Sequence, residues 1–308
     1  MKLGALDVGT NTVLMLVVDC ADGGQPKTLA ELTRITRLGR GVDRTGHLDP
    51  GSAARTLEAI TEFAARAREL GAERIVTAAT SALRDAHDGA AFIARVKDEA
   101  GIELEIISGE VEAQLSYLAS VRGLNLDLST DLLIIDIGGG STELIAASAG
   151  TPLKLVSLEI GSVRLTERFI RHDPPSADEN REMERAVDEM LGSLDWQFRP
   201  TLAVGIAGTV TTLGAIALNL EHYDHAAVHG AQLERCRVLE VLERLRALNL
   251  EQRKALPAML PERADVIIAG VTILDRLLAH FAVERLVVSD QGVRWGLIWR
   301  ELERSRSS

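Results

Sequence analysis

Short apolar runs rich in β-branched residues recur along the chain, and each is followed by glycine or by a polar turn. The runs at 3–8, 13–18 and 132–137 are continuous rather than alternating, which is typical of buried strands. By the same criteria we predict further strands at 29–38, 74–79, 101–107, 152–160, 201–206 and 285–289.

Longer segments with helical periodicity lie between these runs. The alanine-rich segment 53–70 is amphipathic, with Ser52 in the position of an N-cap and Gly71 as its stop. A charged helix is predicted at 178–198, and an apolar helix at 266–281. The mixture of strands and helices predicts an α/β fold.

The strand at 132–137 leads into the most informative stretch of the sequence. Asp136 lies near its end, glycines occupy 138–140, and Ser141 and Glu143 follow. Glycines after a strand allow a tight turn whose N–H groups point into one concavity, which suits a phosphate. Asp136 offers the carboxylate that a hard cation prefers, and Glu143 is placed to support it. A plain hairpin with a glycine turn explains this stretch equally well.

The segment around Asp7 repeats this design near the N-terminus. An apolar strand leads to Asp7, a turn of small residues follows at 8–11, and a second apolar run begins after Thr12. Asp7 and Asp136 lie 129 residues apart, which is about the length of one domain. The repeat predicts two related domains that face each other across a cleft, with two turns closing on one phosphate chain.

Further segments carry candidate site residues, each with a structural alternative. Arg84 lies in the first turn of a predicted helix, where a cation opposes the helix dipole; this suggests a ligand, although surface arginines are common. Glu112 opens a helix after a predicted strand and is a candidate general base, or a glutamate that only stabilises the helix. The turn at 208–209 suits a phosphate at a helix N-terminus. The basic loop 37–44 either reaches over an anion or is a solvated connection.

Composition narrows the classes of partner. The formal net charge is −11 at pH 7, which argues against the basic surface that nucleic-acid binding requires. No apolar run approaches the roughly 20 residues of a membrane span, and a strand predicted from residue 3 leaves no room for a signal peptide. Cys20 and Cys236 show no metal-binding spacing. We therefore expect a cytoplasmic protein without nucleic-acid or membrane partners.

The motifs, taken in order, resemble those of the exopolyphosphatase / guanosine pentaphosphate phosphohydrolase family, within the superfamily of actin, heat-shock chaperones and sugar kinases. They lie at 7–12, 80–84, 107–113, 136–144, 208–209 and 289–294. The resemblance covers essentially the whole chain. It implies two ribonuclease-H-like domains with an interdomain cleft, at 1–125 and 126–308, with the helix at 293–308 packing back on the first.

The resemblance also implies an activity and a state of assembly. The expected reaction is hydrolysis of the terminal phosphate of inorganic polyphosphate, with guanosine pentaphosphate (pppGpp) as a further substrate. The expected cofactor is Mg²⁺, and Mn²⁺ accepts the same carboxylate and water ligands. A homodimer is expected.

Individual roles follow from the same resemblance. Glu112 matches the catalytic glutamate, and Asp136 and Glu143 match metal-associated carboxylates. Arg84 matches a substrate-side arginine. With both glycine-containing turns included, the predicted phosphate-binding residues are Asp7, Gly9, Thr10, Asn11, Arg84, Gly138, Gly139, Gly140, Ser141, Gly208 and Thr209.

Some features depart from the family pattern. Ala207 stands where serine is frequent, and Trp295 where glutamate is frequent. Longer members carry further helical domains beyond the second one, so either a preference for shorter polyphosphate chains or a difference in processivity is expected here. Two other classes stay open: an ATP-dependent kinase of the same superfamily, which would consume ATP with an acceptor, and a non-catalytic sensor, which would bind guanosine tetra- or pentaphosphate without releasing phosphate.

Overall fold

The computed structural model describes residues 1–20, 25–124, 126–127 and 129–307. The chain forms two compact units, Met1–Ala119 together with Val293–Ser308, and Ser120–Gly292. We call them the first and the second unit. The predicted domain boundary between 125 and 126 involves Asn125, which lies outside the described residues, so the division into those two domains stays a prediction.

The first unit is built on a mixed sheet. Its elements are β1 (Lys2–Val8), β2 (Thr12–Asp19), β3 (Lys27–Ile35), α1 (Val42–Thr45), α2 (Pro50–Glu69), β4 (Arg74–Ala79), α3 (Ser81–Asp85), α4 (Gly89–Ala100) and most of α5 (Gly109–Gly123), whose residues from Ser120 onward belong to the second unit. In the described part of the chain the sheet order is β3-β2-β1-β4, with β1 antiparallel to β2 and parallel to β4. Apolar side chains of β1, β2, α2 and α4 form its core.

Two predictions for this unit are wrong in detail. Helix α2 begins at Pro50 and its N-cap is Asp49, whose carboxylate accepts from the Ser52 N–H at 2.8 Å; hydrogen bonds from Ser52 lower the Asp49 pKa. The strand predicted at 101–107 is reduced to one bridge, between Ala79 and Ile106. Backbone bonds join Ala79 to Glu105 and Ile107 at this bridge, whereas at Thr77 the hydroxyl donates to the Glu103 carbonyl and accepts from the Glu105 N–H, so the ladder does not continue there.

The second unit is built on a larger mixed sheet. Its elements are β5 (Leu132–Ile137), β6 (Thr142–Ser148), β7 (Thr151–Leu158), α6 (Ser162–Phe169), α7 (Ala177–Gly192), β8 (Leu202–Ile206), α8 (Ala207–Ala217), α9 (His225–Val228), β9 (Gln232–Glu234), α10 (Arg235–Ala247), α11 (Leu250–Lys254), a 3-10 turn (Pro261–Arg263), α12 (Ile267–His280) and β10 (Arg285–Val288). Among the described residues the sheet order is β7-β6-β5-β8-β10-β9.

The buried strand β5 and the apolar helix α12 agree with the sequence pattern, whereas the predicted helix 178–198 is too long. Helix α7 ends at Gly192, and the Ser193 hydroxyl donates to the Met190 carbonyl at its C-terminus. Trp196 lies beyond the helix and packs on Phe281, with ring centroids 6.1 Å apart.

Helix α13 (Val293–Ser307) completes the first unit. Its side chains share a core with Leu3 and Ala5 of β1. Trp295 is buried in that core, so its departure from the family pattern has a packing role in this chain. Within the residues that the structure describes, no helix is both long and apolar enough to cross a membrane.

Candidate active site

The β1–β2 turn in the first unit is closed by backbone and side-chain bonds. The Gly9 N–H donates to the Thr12 carbonyl at 2.9 Å, and Asp7 lies opposite Leu14 in the strand register. The Thr10 hydroxyl is 2.6 Å from the Ser81 hydroxyl, and both side chains are buried. The turn is therefore tied to α3, the helix that carries the predicted arginine.

The basic loop 37–44 packs on the same turn rather than standing free of it. The Asn11 carbonyl accepts from the N–H groups of Thr36 and Arg37, and the Thr10 carbonyl accepts from the Gly39 N–H at 2.8 Å. A Cβ at Gly39 would lie 2.3 Å from Thr10 Cγ2, so only glycine allows this approach. Arg37 adopts a left-handed φ of 58° at the start of the loop.

Arg84 and Glu112, which were predicted as site residues on separate grounds, lie side by side. The Arg84 guanidinium donates to the Ile107 carbonyl at 3.0 Å, and the same nitrogen is 3.6 Å from Glu112 Oε2. Glu112 is 7% exposed and sits in the first turn of α5, where its N–H donates to the Ser108 carbonyl. A carboxylate so deeply buried needs a cationic partner, and Arg84 supplies one.

Asp136 and Glu143 face each other across the β5–β6 hairpin of the second unit. They are directly opposite in the antiparallel register, and their exposed fractions are 6% and 0%. The Ser157 hydroxyl donates to Glu143 Oε1 at 2.7 Å. Side chains directly opposite one another lie on the same face of a sheet, and like charges in that arrangement repel. The pair thus has the oxygen donors and the charge that a divalent cation would satisfy.

The glycine turn of this hairpin presents its carbonyls to α6. The Gly138 carbonyl accepts from the Ser162 N–H at 2.9 Å, and the Gly139 carbonyl accepts from the next two N–H groups of α6. The Gly138 N–H donates to the Ser141 carbonyl. Within the described residues, the N–H groups of Gly139 and Gly140 have no protein acceptor. Backbone N–H groups in a glycine turn are of the type that binds anions.

The turn from β8 into α8 brings in a residue that the sequence interpretation missed. A Cβ at Gly208 would lie 1.0 Å from Arg263 Nη1, so the Arg263 guanidinium occupies the space over this glycine. Thr209 is buried and packs against Gly270 of α12. Ala207, at the family's serine position, has a φ of 68°, which is uncommon for a residue with a Cβ. Arg263 had no signal beyond its place in a short polar break before an apolar helix.

The comparisons with known proteins agree on one family. The model of the Ppx/GppA phosphatase family matches residues 16–305. The chain belongs to the Ppx/GppA phosphatase family. Exopolyphosphatase 2 of Mycobacterium tuberculosis is 36% identical over 96% of this chain and 97% of its own length.

Solved Ppx/GppA structures share the fold. The Aquifex aeolicus family member is 31% identical, covers 100% of this chain and 99% of its own, and superposes with a TM-score of 0.85. An exopolyphosphatase from Cytophaga hutchinsonii is 26% identical, with coverages of 99% and 98% and a TM-score of 0.92. The predictions of the Ppx/GppA family, of the α/β fold and of an enzyme of the phosphatase class are confirmed.

Proposed function

We propose that this Ppx/GppA protein is an exopolyphosphatase, a hydrolase of the terminal phosphoanhydride bond of inorganic polyphosphate. The observation that carries the proposal is the buried Glu112 carboxylate at the start of α5, with the Arg84 guanidinium 3.6 Å away. Membership of the phosphatase family and the similarity to proteins named exopolyphosphatase support the choice of substrate.

Glu112 is the general base in this proposal. A water oxygen attacks the terminal phosphorus, the bond from that phosphorus to the bridging oxygen breaks, and the water proton passes to Glu112. Arg84 holds the carboxylate in place, since its guanidinium is itself fixed by the Ile107 carbonyl. A general base typically contributes about 10²–10⁴ in rate.

The second unit carries groups whose chemistry suits phosphate oxygens. The Gly139 and Gly140 amides, the α8 N-terminus at Gly208 and Thr209, and the Arg263 guanidinium are all donors or positive charges suited to phosphate oxygens.

Asp136 and Glu143 fit a hard divalent cation, because both are buried oxygen ligands on facing positions. When bound, Mg²⁺ or Mn²⁺ would offset negative charge on the phosphoryl oxygens.

The decisive assay measures phosphate release from tripolyphosphate, long-chain polyphosphate and pppGpp in the presence of Mg²⁺. We expect wild-type protein to release phosphate and Glu112→Gln to lose at least a hundredfold in kcat. Glu110→Gln is the matched control, since Glu110 is exposed two residues earlier on the same helix. Full activity of Glu112→Gln would refute its role as the base.

The same assay separates the other functions that the sequence leaves open. Release from pppGpp would establish the guanosine pentaphosphate activity, which stays a prediction. Binding of guanosine tetraphosphate without phosphate release from any substrate would favour a sensor, and consumption of ATP with an acceptor would favour a kinase. The homodimer and the cytoplasmic location also stay predictions; sedimentation equilibrium tests the former.

A further inference from the structure

Arg253, on the short helix α11, is a buried cation outside the predicted set of site residues. It is 3% exposed, and its three nitrogens all donate to protein oxygens. Nη1 donates to the Leu248 carbonyl at 2.6 Å and Nη2 to Asp173 Oδ1 at 3.0 Å. Nε donates to the Ala264 carbonyl at 2.8 Å. The rigid fork of a guanidinium therefore fixes three separate backbone segments relative to one another.

The bond to Ala264 matters because of the residue that precedes it. Arg263 ends the 3-10 turn Pro261–Arg263, and Ala264 is fully buried behind it. Local backbone bonds also hold the turn, from the Arg263 N–H to the Leu260 carbonyl and from the Val266 N–H to the Arg263 carbonyl. Ala264 packs in the hydrophobic core of the unit. The Arg253 contact adds a long-range tether to the backbone directly after Arg263.

Arg263 needs such a tether because its placement has little tolerance. Its guanidinium lies directly over Gly208 at the α8 N-terminus, within 1.0 Å of where a Cβ would stand. A long side chain that approaches backbone this closely is correctly placed only if its own backbone is fixed. Movement of the turn by about 1 Å would separate the guanidinium from the α8 N-terminus or force the two together.

We infer that Arg253 is a positioning residue for the binding of the anionic substrate, acting through Arg263, an inference that rests on the proposed function. Asp173 has the supporting role: one carboxylate oxygen pairs with Arg253 and the other accepts from the Leu250 N–H at 2.7 Å. The connection runs from Asp173 through Arg253 and the Ala264 carbonyl to Arg263 and Gly208, and every step in it lies in the second unit.

The test is a double-mutant cycle read by substrate affinity. Arg253→Lys keeps the buried charge but loses the fork, so the bond to the Ala264 carbonyl is lost. We expect its KM for tripolyphosphate to rise about tenfold while kcat stays within about twofold. In an Arg263→Ala background, Arg253→Lys should change KM no further, because the residue through which it acts is gone.

A purely structural role gives a different result. Loss of folded protein would lower the apparent kcat at unchanged KM, and its effect would persist in the Arg263→Ala background. Arg246→Lys is the matched control, because Arg246 is a largely buried arginine of the same unit that bonds to Glu184 and Thr272 rather than to Ala264. Asp173→Asn is the milder second variant if Arg253→Lys does not fold, and a smaller rise in KM is expected from it.

Calorimetric binding of tripolyphosphate in a Glu112→Gln background makes the test independent of turnover. Equal dissociation constants with and without Arg253→Lys would overturn the inference and leave the proposed function intact. If this binding weakens about tenfold on Arg253→Lys while the wild-type protein, assayed separately, releases no phosphate from any substrate, the inference is supported and the proposed function is refuted. An effect of Arg253→Lys that is fully additive with Arg263→Ala would also overturn it.

Discussion

Gly161 is the position where one added methyl group should do most damage to the glycine turn. It precedes α6, and a Cβ there would lie 2.4 Å from the Gly139 carbonyl carbon and 2.6 Å from that of Gly140. Both neighbours are backbone atoms, which cannot rotate away as a flexible side chain can. Gly161→Ala must therefore displace the turn or α6.

The size of the effect follows from this geometry. Ordinary contact begins near 3.4 Å, so the two segments must separate by about 1 Å at this point. Overpacking of this kind costs about 1–3 kcal/mol, and the bonds from the first N–H groups of α6 to the Gly138 and Gly139 carbonyls should lengthen. For a chain of this size we expect the melting temperature to fall by about 2–6 °C. A displacement of about 1 Å in a phosphate-binding turn should also lower kcat/KM about 10²-fold.

Thermal unfolding measures the loss of stability, and phosphate release from tripolyphosphate measures the loss of activity. Gly192→Ala is the matched control, since Gly192 is exposed at the end of α7 and an added Cβ meets no atom within 4 Å. That change should stabilise the protein by about 0.4–1 kcal/mol. If Gly161→Ala melts and turns over like wild type, the packing argument is refuted. A lowered melting temperature with unchanged kcat/KM would instead show that the glycine turn is not part of the phosphate-binding site.

Two further predictions concern charge. Burial raises the pKa of Glu179, but hydrogen bonds from the Ser176 N–H and His172, among others, outweigh it and lower the pKa from 4.5 to about 2. As the pH falls, the unfolded state takes up this proton before the folded state does, so the free energy of unfolding should decrease between about pH 4.5 and 2. Urea titrations should show a steeper decrease for wild type than for Glu179→Gln. Glu189→Gln, an exposed control on the same helix, should behave like wild type. Mg²⁺ should raise the melting temperature of wild type but not of Asp136→Asn, and an equal shift in both would count against a cation at this carboxylate.

The hairpins could be predicted from the local sequence, whereas contacts between residues distant in the sequence could not. The apolar run at 132–137 and its glycines determine β5 and the turn within a dozen residues, so periodicity and turn chemistry suffice there. Arg84 and Glu112 are distant in the sequence and meet only in the folded chain, where the same arginine nitrogen also donates to the Ile107 carbonyl. The strand expected at 101–107 keeps its backbone bonds only at Ala79, and at Thr77 the side-chain hydroxyl bonds to the segment instead. The hydrophobic periodicity of the sequence gives no sign of such a side-chain bond.

The two hairpins share one geometry and differ in the residue that faces the aspartate. In each, the glycine two residues after the aspartate donates to the carbonyl three residues on, Gly9 to Thr12 and Gly138 to Ser141. In each, the aspartate faces the residue seven positions later. That partner is Leu14 for Asp7 and Glu143 for Asp136, so a buried carboxylate pair exists in the second hairpin and not in the first. This pair is the reason why the proposed function includes a cation at the second hairpin, since carboxylate oxygens are the ligands that hard cations prefer.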